Sequence, residues 1–128
     1  MAKEDYLIRL SMLEQEGRKL EEQLQLINQQ LQEFQVLNLS LEKLNKTEEK
    51  EILAGLGRGI YFKTELKDKK LFVNVGDNII LKKSPEETIE IINKQIRQLE
   101  GMKEKLLIEI ENINHQLQEL VEETQRVS

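Results

Sequence analysis

The sequence predicts an α+β chain: a long antiparallel coiled-coil hairpin with two β-hairpins inserted between its helices. Three observations lead there. Leucine and isoleucine recur at alternating steps of three and four in each half of the chain, the residues between those halves switch to a period of two, and the two helical runs are of nearly equal length. A repeat averaging 3.5 residues keeps one stripe facing a partner helix, which marks a left-handed coiled coil and not an ordinary surface helix.

The first seam runs Tyr6, Leu10, Leu13, Gly17, Leu20, Leu24, Ile27, Leu31, Phe34, Asn38, Leu41, Asn45. The second runs Ile89, Ile92, Ile96, Leu99, Lys103, Leu106, Ile110, Ile113, Leu117, Leu120, Thr124, Val127. The first helix is expected from about residue 4 to about residue 44, with residues 45–47 ending it. The second has a sharper start: in Ser84-Pro85-Glu86-Glu87 a hydroxyl stands at the N-cap, proline at the first helical position, and glutamate three residues on, a capping box. At 1.5 Å per residue each helix is about 60 Å long. If the chain reverses between Asn45 and Ser84, the seams pair within one molecule and Tyr6 lies near Thr124 and Val127.

After Phe34 the apolar positions continue better as Leu37, Leu41 and Leu44, which gives two consecutive steps of three and predicts a stammer. Val36 and Leu39 add apolar bulk off the seam. A helix apolar on a wider face needs more than one neighbour, so this stretch is expected to pack against the insert or another chain. Polar residues at the seam positions Asn38, Asn45 and Lys103 read as devices that fix register and partner number.

In the insert, Ile60, Phe62, Thr64 and Leu66 alternate with Tyr61, Lys63 and Glu65, and Leu71, Val73 and Val75 alternate with Phe72 and Asn74. Lys67-Asp68-Lys69-Lys70 is expected to link that pair as a hairpin. Gly76-Asp77-Asn78 supplies turn chemistry before a strand over residues 79–83, and Gly57-Arg58-Gly59 marks a turn after a short strand over residues 51–56. Four strands make two hairpins. Small hairpins are marginal alone in water, so Ile60, Phe62, Leu66, Leu71, Val73, Val75, Ile79 and Leu81 form a face that needs cover, naturally by similar inserts of other chains. The chain thus divides into an N-terminal coil helix (1–47), a β insert for oligomerisation (48–83) and a C-terminal coil helix (84–128).

Composition excludes several function classes. The chain has 128 residues, 34% of them charged and 4% aromatic, with a net charge of -5, which leaves little for a thick core. Cysteine is absent and the single histidine, His115, sits at an outward position between Ile113 and Leu117; neither thiolate chemistry nor a metal site is expected, and no cofactor. Gly55-Leu56-Gly57-Arg58-Gly59 lacks the lysine–serine pair and the helix N-terminus of a phosphate cradle and reads as a turn. Residues 58–83 carry seven basic against three acidic side chains, but lysines guarding strand edges explain them more simply than a nucleic-acid surface. No run suits a signal peptide or a membrane span, so neither nucleic acid nor membrane is expected as partner. A cytoplasmic protein, not an enzyme, is the reading.

The string Glu51-Ile52-Leu53, Gly57-Arg58-Gly59-Ile60-Tyr61-Phe62-Lys63, Leu66-Lys67-Asp68, Phe72-Val73-Asn74-Val75-Gly76 and Lys82-Lys83-Ser84-Pro85-Glu86-Glu87 resembles the prefoldin family, and two hairpins point to its alpha class. Family members often show a proline near Ala54-Gly55, where this chain departs. The resemblance implies an ATP-independent chaperone, a hexamer of two alpha and four beta-class subunits joined through the inserts, which captures unfolded client proteins at the coil ends and delivers them to a group II chaperonin. It places client binding on Tyr6, Leu7, Ile8, Leu10, Met12, Leu117, Leu120, Val121 and Val127. Leu7 and Ile8 widen the apolar face beside Tyr6 where no third element is expected to cover them. A filament or scaffold assembled through the insert, and an adaptor for one folded partner, are the competing readings.

Overall fold

A computed structural model describes residues 3–127, with side chains as far as residue 125. Helix α1 spans Lys3–Lys46 and helix α2 Pro85–Val127; between them lie strands β1 (Glu51–Gly57), β2 (Ile60–Glu65), β3 (Leu71–Asn74) and β4 (Ile80–Lys83). The α2 start is built as its sequence dictates. The Glu87 N–H donates to Ser84 Oγ and the Ser84 N–H to Glu87 Oε1, each at 3.1 Å.

The chain divides into two compact units. One holds α1 up to Glu33 with α2 from Ile96 onward; the other is Phe34–Gln95. In the first unit, Leu13, Leu20, Ile27, Leu31, Leu106, Ile113 and Leu120 form a buried line, flanked by the half-buried Tyr6, Leu10, Leu24, Ile96, Leu99, Ile110 and Leu117. These are the seam residues. A Cβ placed on Gly17 would lie 3.4 Å from Ile113 Cγ2. Both residues are fourteen positions from the helix end nearer to them, the start of α1 and the end of α2, as antiparallel pairing requires.

In the second unit Asn38 Nδ2 donates to Asn93 Oδ1 at 2.8 Å, and each lies eight residues from the helix end that borders the insert. The expected stammer is not formed. Asn38 holds the seam position, half-buried, Leu41 is buried behind it, and Leu37 faces out. The bond to Asn93 partners the Asn38 Nδ2 inside the seam, although the Oδ1 is buried without a partner, and the heptad continues unbroken. Val36 and Leu39 stay exposed, at 58% and 60%, so the chain's own insert does not cover them.

The strands form two separate two-stranded antiparallel sheets, β1 with β2 and β3 with β4. The expected pairing of β2 with β3 through residues 67–70 is therefore overturned. The turns explain why. Gly57, Arg58 and Gly59 all take positive φ, as do Gly76, Asp77 and Asn78, the left-handed backbone a tight hairpin needs; none of residues 67–70 does. Those four residues are instead a connector, with Lys70 N–H bonded to Asp68 Oδ1 at 2.8 Å and Lys69 Nζ reaching Asn45 O at 3.0 Å. Leu56 forms a bulge where Gly57 pairs with Ile60. Val75 and Ile79, expected within strands, close the second turn through a Val75 N to Ile79 O bond of 3.0 Å.

Candidate functional site

The residues assigned to client binding separate into two groups once each is placed. Leu120 is only 3% exposed, and Tyr6, Leu10 and Leu117 are half-buried against the buried line. They hold α1 to α2 and offer a client little surface. Leu7, Ile8, Met12 and Val121 are exposed. Val127 has a side chain outside the described residues.

The exposed four lie on the first unit, where α1 begins and α2 ends. Counting heptads from Leu10 and Leu13 on one helix and Leu117 and Leu120 on the other, Leu7 and Val121 each follow directly after a core position. Such positions of two antiparallel helices lie along the same edge of the seam, so Leu7 and Val121 extend one apolar edge outward from the core. Ile8 and Met12, four residues apart, share the outer face of α1. Their surroundings are charged: Glu4, Asp5, Arg9 and Glu14 on α1, Glu119, Glu122 and Glu123 on α2. The outcome is isolated methyl- and thioether-bearing side chains set in a hydrated, acidic frame. Met12 suits irregular partners, since an unbranched polarisable chain adapts to many surfaces.

The first unit also exposes Leu26, Met102, Leu107 and Ile108, which the sequence reading passed over. Their signal was present: each is apolar at a position off the seam. On the insert, Leu66, Leu71 and Val73 are half-buried, while Ile60, Phe62, Val75, Ile79 and Leu81 are exposed. Val73 stands opposite Leu81 and Phe62 opposite Ala54, so each sheet has an apolar face of the expected kind. The other faces are apolar as well. Leu53 and Tyr61 on one sheet, and Phe72 and Ile80 on the other, are exposed, Phe72 to 75%. Alternation marked one face of each strand; the large side chains at the opposite parity were the overlooked sign. Lys82 Nζ lies 6.0 Å from the Phe72 ring centroid, and this cation also stands 3.9 Å from Asp68.

Nothing here resembles a reactive centre. Among the described residues no group of three histidine, cysteine, aspartate or glutamate side chains is placed to hold a metal ion. His115 is exposed, with Nε2 3.1 Å from Glu119 Oε1. The Glu87 carboxyl is held below its ordinary range, chiefly because the Ser84 backbone N–H and then its hydroxyl bond the carboxylate, a helix-capping effect. Among the described residues no helix is long and apolar enough to cross a membrane.

Comparison with known proteins gives a consistent result. A family model described as "Prefoldin subunit" matches residues 13–128. "Prefoldin subunit alpha" of Thermofilum pendens is 28% identical over 86% of this chain and 87% of its own. The protein of the same name from Methanococcus maripaludis strain C7 is 31% identical over 82% of this chain and 72% of its own. The backbone is similar to a chain in the cryo-EM structure of filamentous PFD from Methanocaldococcus jannaschii, with a TM-score of 0.53 and 23% identity over 94% of this chain and 95% of that one.

Proposed function

The chain belongs to the alpha class of the prefoldin family, whose members are chaperones without catalytic activity, and on that premise we propose that it is an ATP-independent holdase subunit of the cytoplasm. Its coil end binds non-native polypeptide and passes it to a group II chaperonin. The observation that carries this reading is the exposure of Leu7, Ile8, Met12 and Val121 beside a seam whose own residues are buried or half-buried. A segment of unfolded client covers one or two such side chains at a time. Burying a leucine-sized group is worth roughly 1.5–3 kcal/mol, too little to hold a client alone and enough when several coils engage one flexible chain. Release then needs no nucleotide, because every single contact opens readily.

Several coils require an assembly. Two alpha and four beta-class subunits joined through their inserts is the arrangement proposed, and the apolar faces of the insert support it, since Phe62 and Leu81 on them are exposed. A second reading, an extended filament with the coils as spacers, draws on the filamentous state named for the Methanocaldococcus jannaschii protein.

The test replaces Leu7, Ile8, Met12 and Val121 by serine in the chain assembled with a beta-class subunit. All four are exposed, so the coil and the particle mass are expected to persist while suppression of client aggregation falls several-fold, with and without ATP. Full holding by the quadruple variant rejects the coil-end site. Open-ended polymers of the unmodified chain that hold no client favour the filament.

A further inference from the structure

The run Lys67-Asp68-Lys69-Lys70 reads in the sequence as a link between strands, with lysines that guard strand edges, yet the structure sets each of its last three residues against a different element. The Lys69 ammonium donates to Asn45 O at 3.0 Å in the last turn of α1, and both residues are half-buried. Asp68 Oδ1 accepts the Lys70 N–H at 2.8 Å, and Asp68 Oδ2 stands 3.9 Å from Lys82 Nζ on β4. Lys70 acts on the start of α2: the Glu87 carboxyl, lowered first by its bonds to Ser84, is lowered also by Lys83 and Lys70. Just before the run, the Leu66 N–H donates to Lys50 O at 2.6 Å and fastens the connector to the entry of β1. Lys67 makes no such contact among the described residues.

We infer that Asp68 and Lys69 form a clasp, which holds the two sheets in one arrangement at the roots of α1 and α2. The sheets need one. They share no strand pairing, so no ladder fixes one against the other, and the connector would otherwise leave the second hairpin free to swing. The last carbonyls of a helix lack intrahelical partners and form its negative end. The Thr47 N–H satisfies Lys43 O, and the Lys69 ammonium satisfies Asn45 O while placing a cation where the helix dipole favours it. The parts are unequal. The Asp68–Lys82 pair is long and exposed at both ends, 61% and 55%, and surface pairs of that kind hold weakly. Lys69 is half-buried on a helix terminus, so it carries most of the hold. A clasp of this kind orders the insert before another chain arrives, and a surface ordered beforehand loses less freedom on joining. That last step rests on the reading that the insert joins subunits; the clasp itself does not.

Because the chain has no cysteine, spin labels can be placed through Lys63→Cys on β2 and Ile80→Cys on β4, both exposed. Pulsed electron paramagnetic resonance on the full chain then reads the distances between the two sheets, and one narrow distribution is expected. Lys69→Met keeps the aliphatic stem, removes the donor and should widen the distribution several-fold. Lys69→Arg should keep it narrow, and Asp68→Asn should widen it less than Lys69→Met. Lys67→Met, the loss of the same charge outside the clasp, should leave it unchanged, with equal helix content by circular dichroism in all four. A Lys69→Met chain as narrow as the parent overturns the inference. So does a Lys67→Met chain as wide as Lys69→Met, which would make the effect one of net charge alone. With a beta-class subunit added, Lys69→Met is expected to reach the same particle mass several-fold more slowly. Widened distances at an unchanged rate overturn the role in assembly and leave the clasp; an unmodified chain that never assembles removes the reading on which that role rests, and the distances still decide the clasp.

Discussion

Ser84 and Glu87 decide where α2 begins, and they do so through two reciprocal hydrogen bonds that Pro85 helps to position. Ser84→Ala removes one acceptor and is expected to cost about 1 kcal/mol of stability, read from thermal unfolding by circular dichroism. The Glu87 carboxyl is held below its ordinary value of 4.5, first by the Ser84 backbone bond. Its contribution is therefore fully present above the ordinary carboxylate range and is lost as pH falls through the lowered value. The stability difference between the protein and Glu87→Gln should accordingly be constant near neutrality and vanish in acid; a difference that grows on acidification contradicts the capping account. Asn38 offers the opposite case, a polar group that costs stability. Asn38→Leu removes a buried oxygen without a partner, a penalty of about 1–3 kcal/mol, so the midpoint of unfolding should rise. The same variant should lose register, scored as additional cross-linked species between cysteines at Gly17 and near Ile113.

Among the elements, the helices were legible in the sequence and the strand pairing was not. Heptad spacing and the capping box are local signals, readable without knowing any distant partner, and α1 and α2 begin and end within a few residues of where those signals lie. Pairing of β2 is a choice between two neighbours, each reached by a short connector, and alternation is the same for both. The deciding signal was turn chemistry: Gly57-Arg58-Gly59 and Gly76-Asp77-Asn78 can supply consecutive positive-φ residues, whereas Lys67-Asp68-Lys69-Lys70 contains no glycine or asparagine. Val36, Leu37 and Leu39 were visible as surplus apolar residues. Their outward direction followed only from the bond between Asn38 and Asn93, a long-range fact. If the insert joins subunits, then Val73→Asp with Val75→Asp places charge on its apolar face and should yield smaller particles by light scattering, with the helical signal largely unchanged. An unchanged mass excludes that face.

At the scale of the whole molecule, the candidate capture site was legible by location and illegible by side chain. Apolar surplus near Tyr6 and Leu117 singled out one end of the coil, but periodicity alone cannot divide an apolar residue that closes the seam, such as Leu120, from one that stands beside it, such as Val121. On the proposed reading, unfolded client touches this chain at the coil end and not on the insert. The most direct measurement introduces a photoreactive amino acid singly at Ile8, Met12, Leu53 or Phe72 in the chain assembled with a beta-class subunit, adds a radiolabelled unfolded client, and irradiates. Client adducts are expected at Ile8 and Met12 and none above background at Leu53 and Phe72, unaffected by ATP. Adducts confined to the insert positions, or equal at all four, would contradict it.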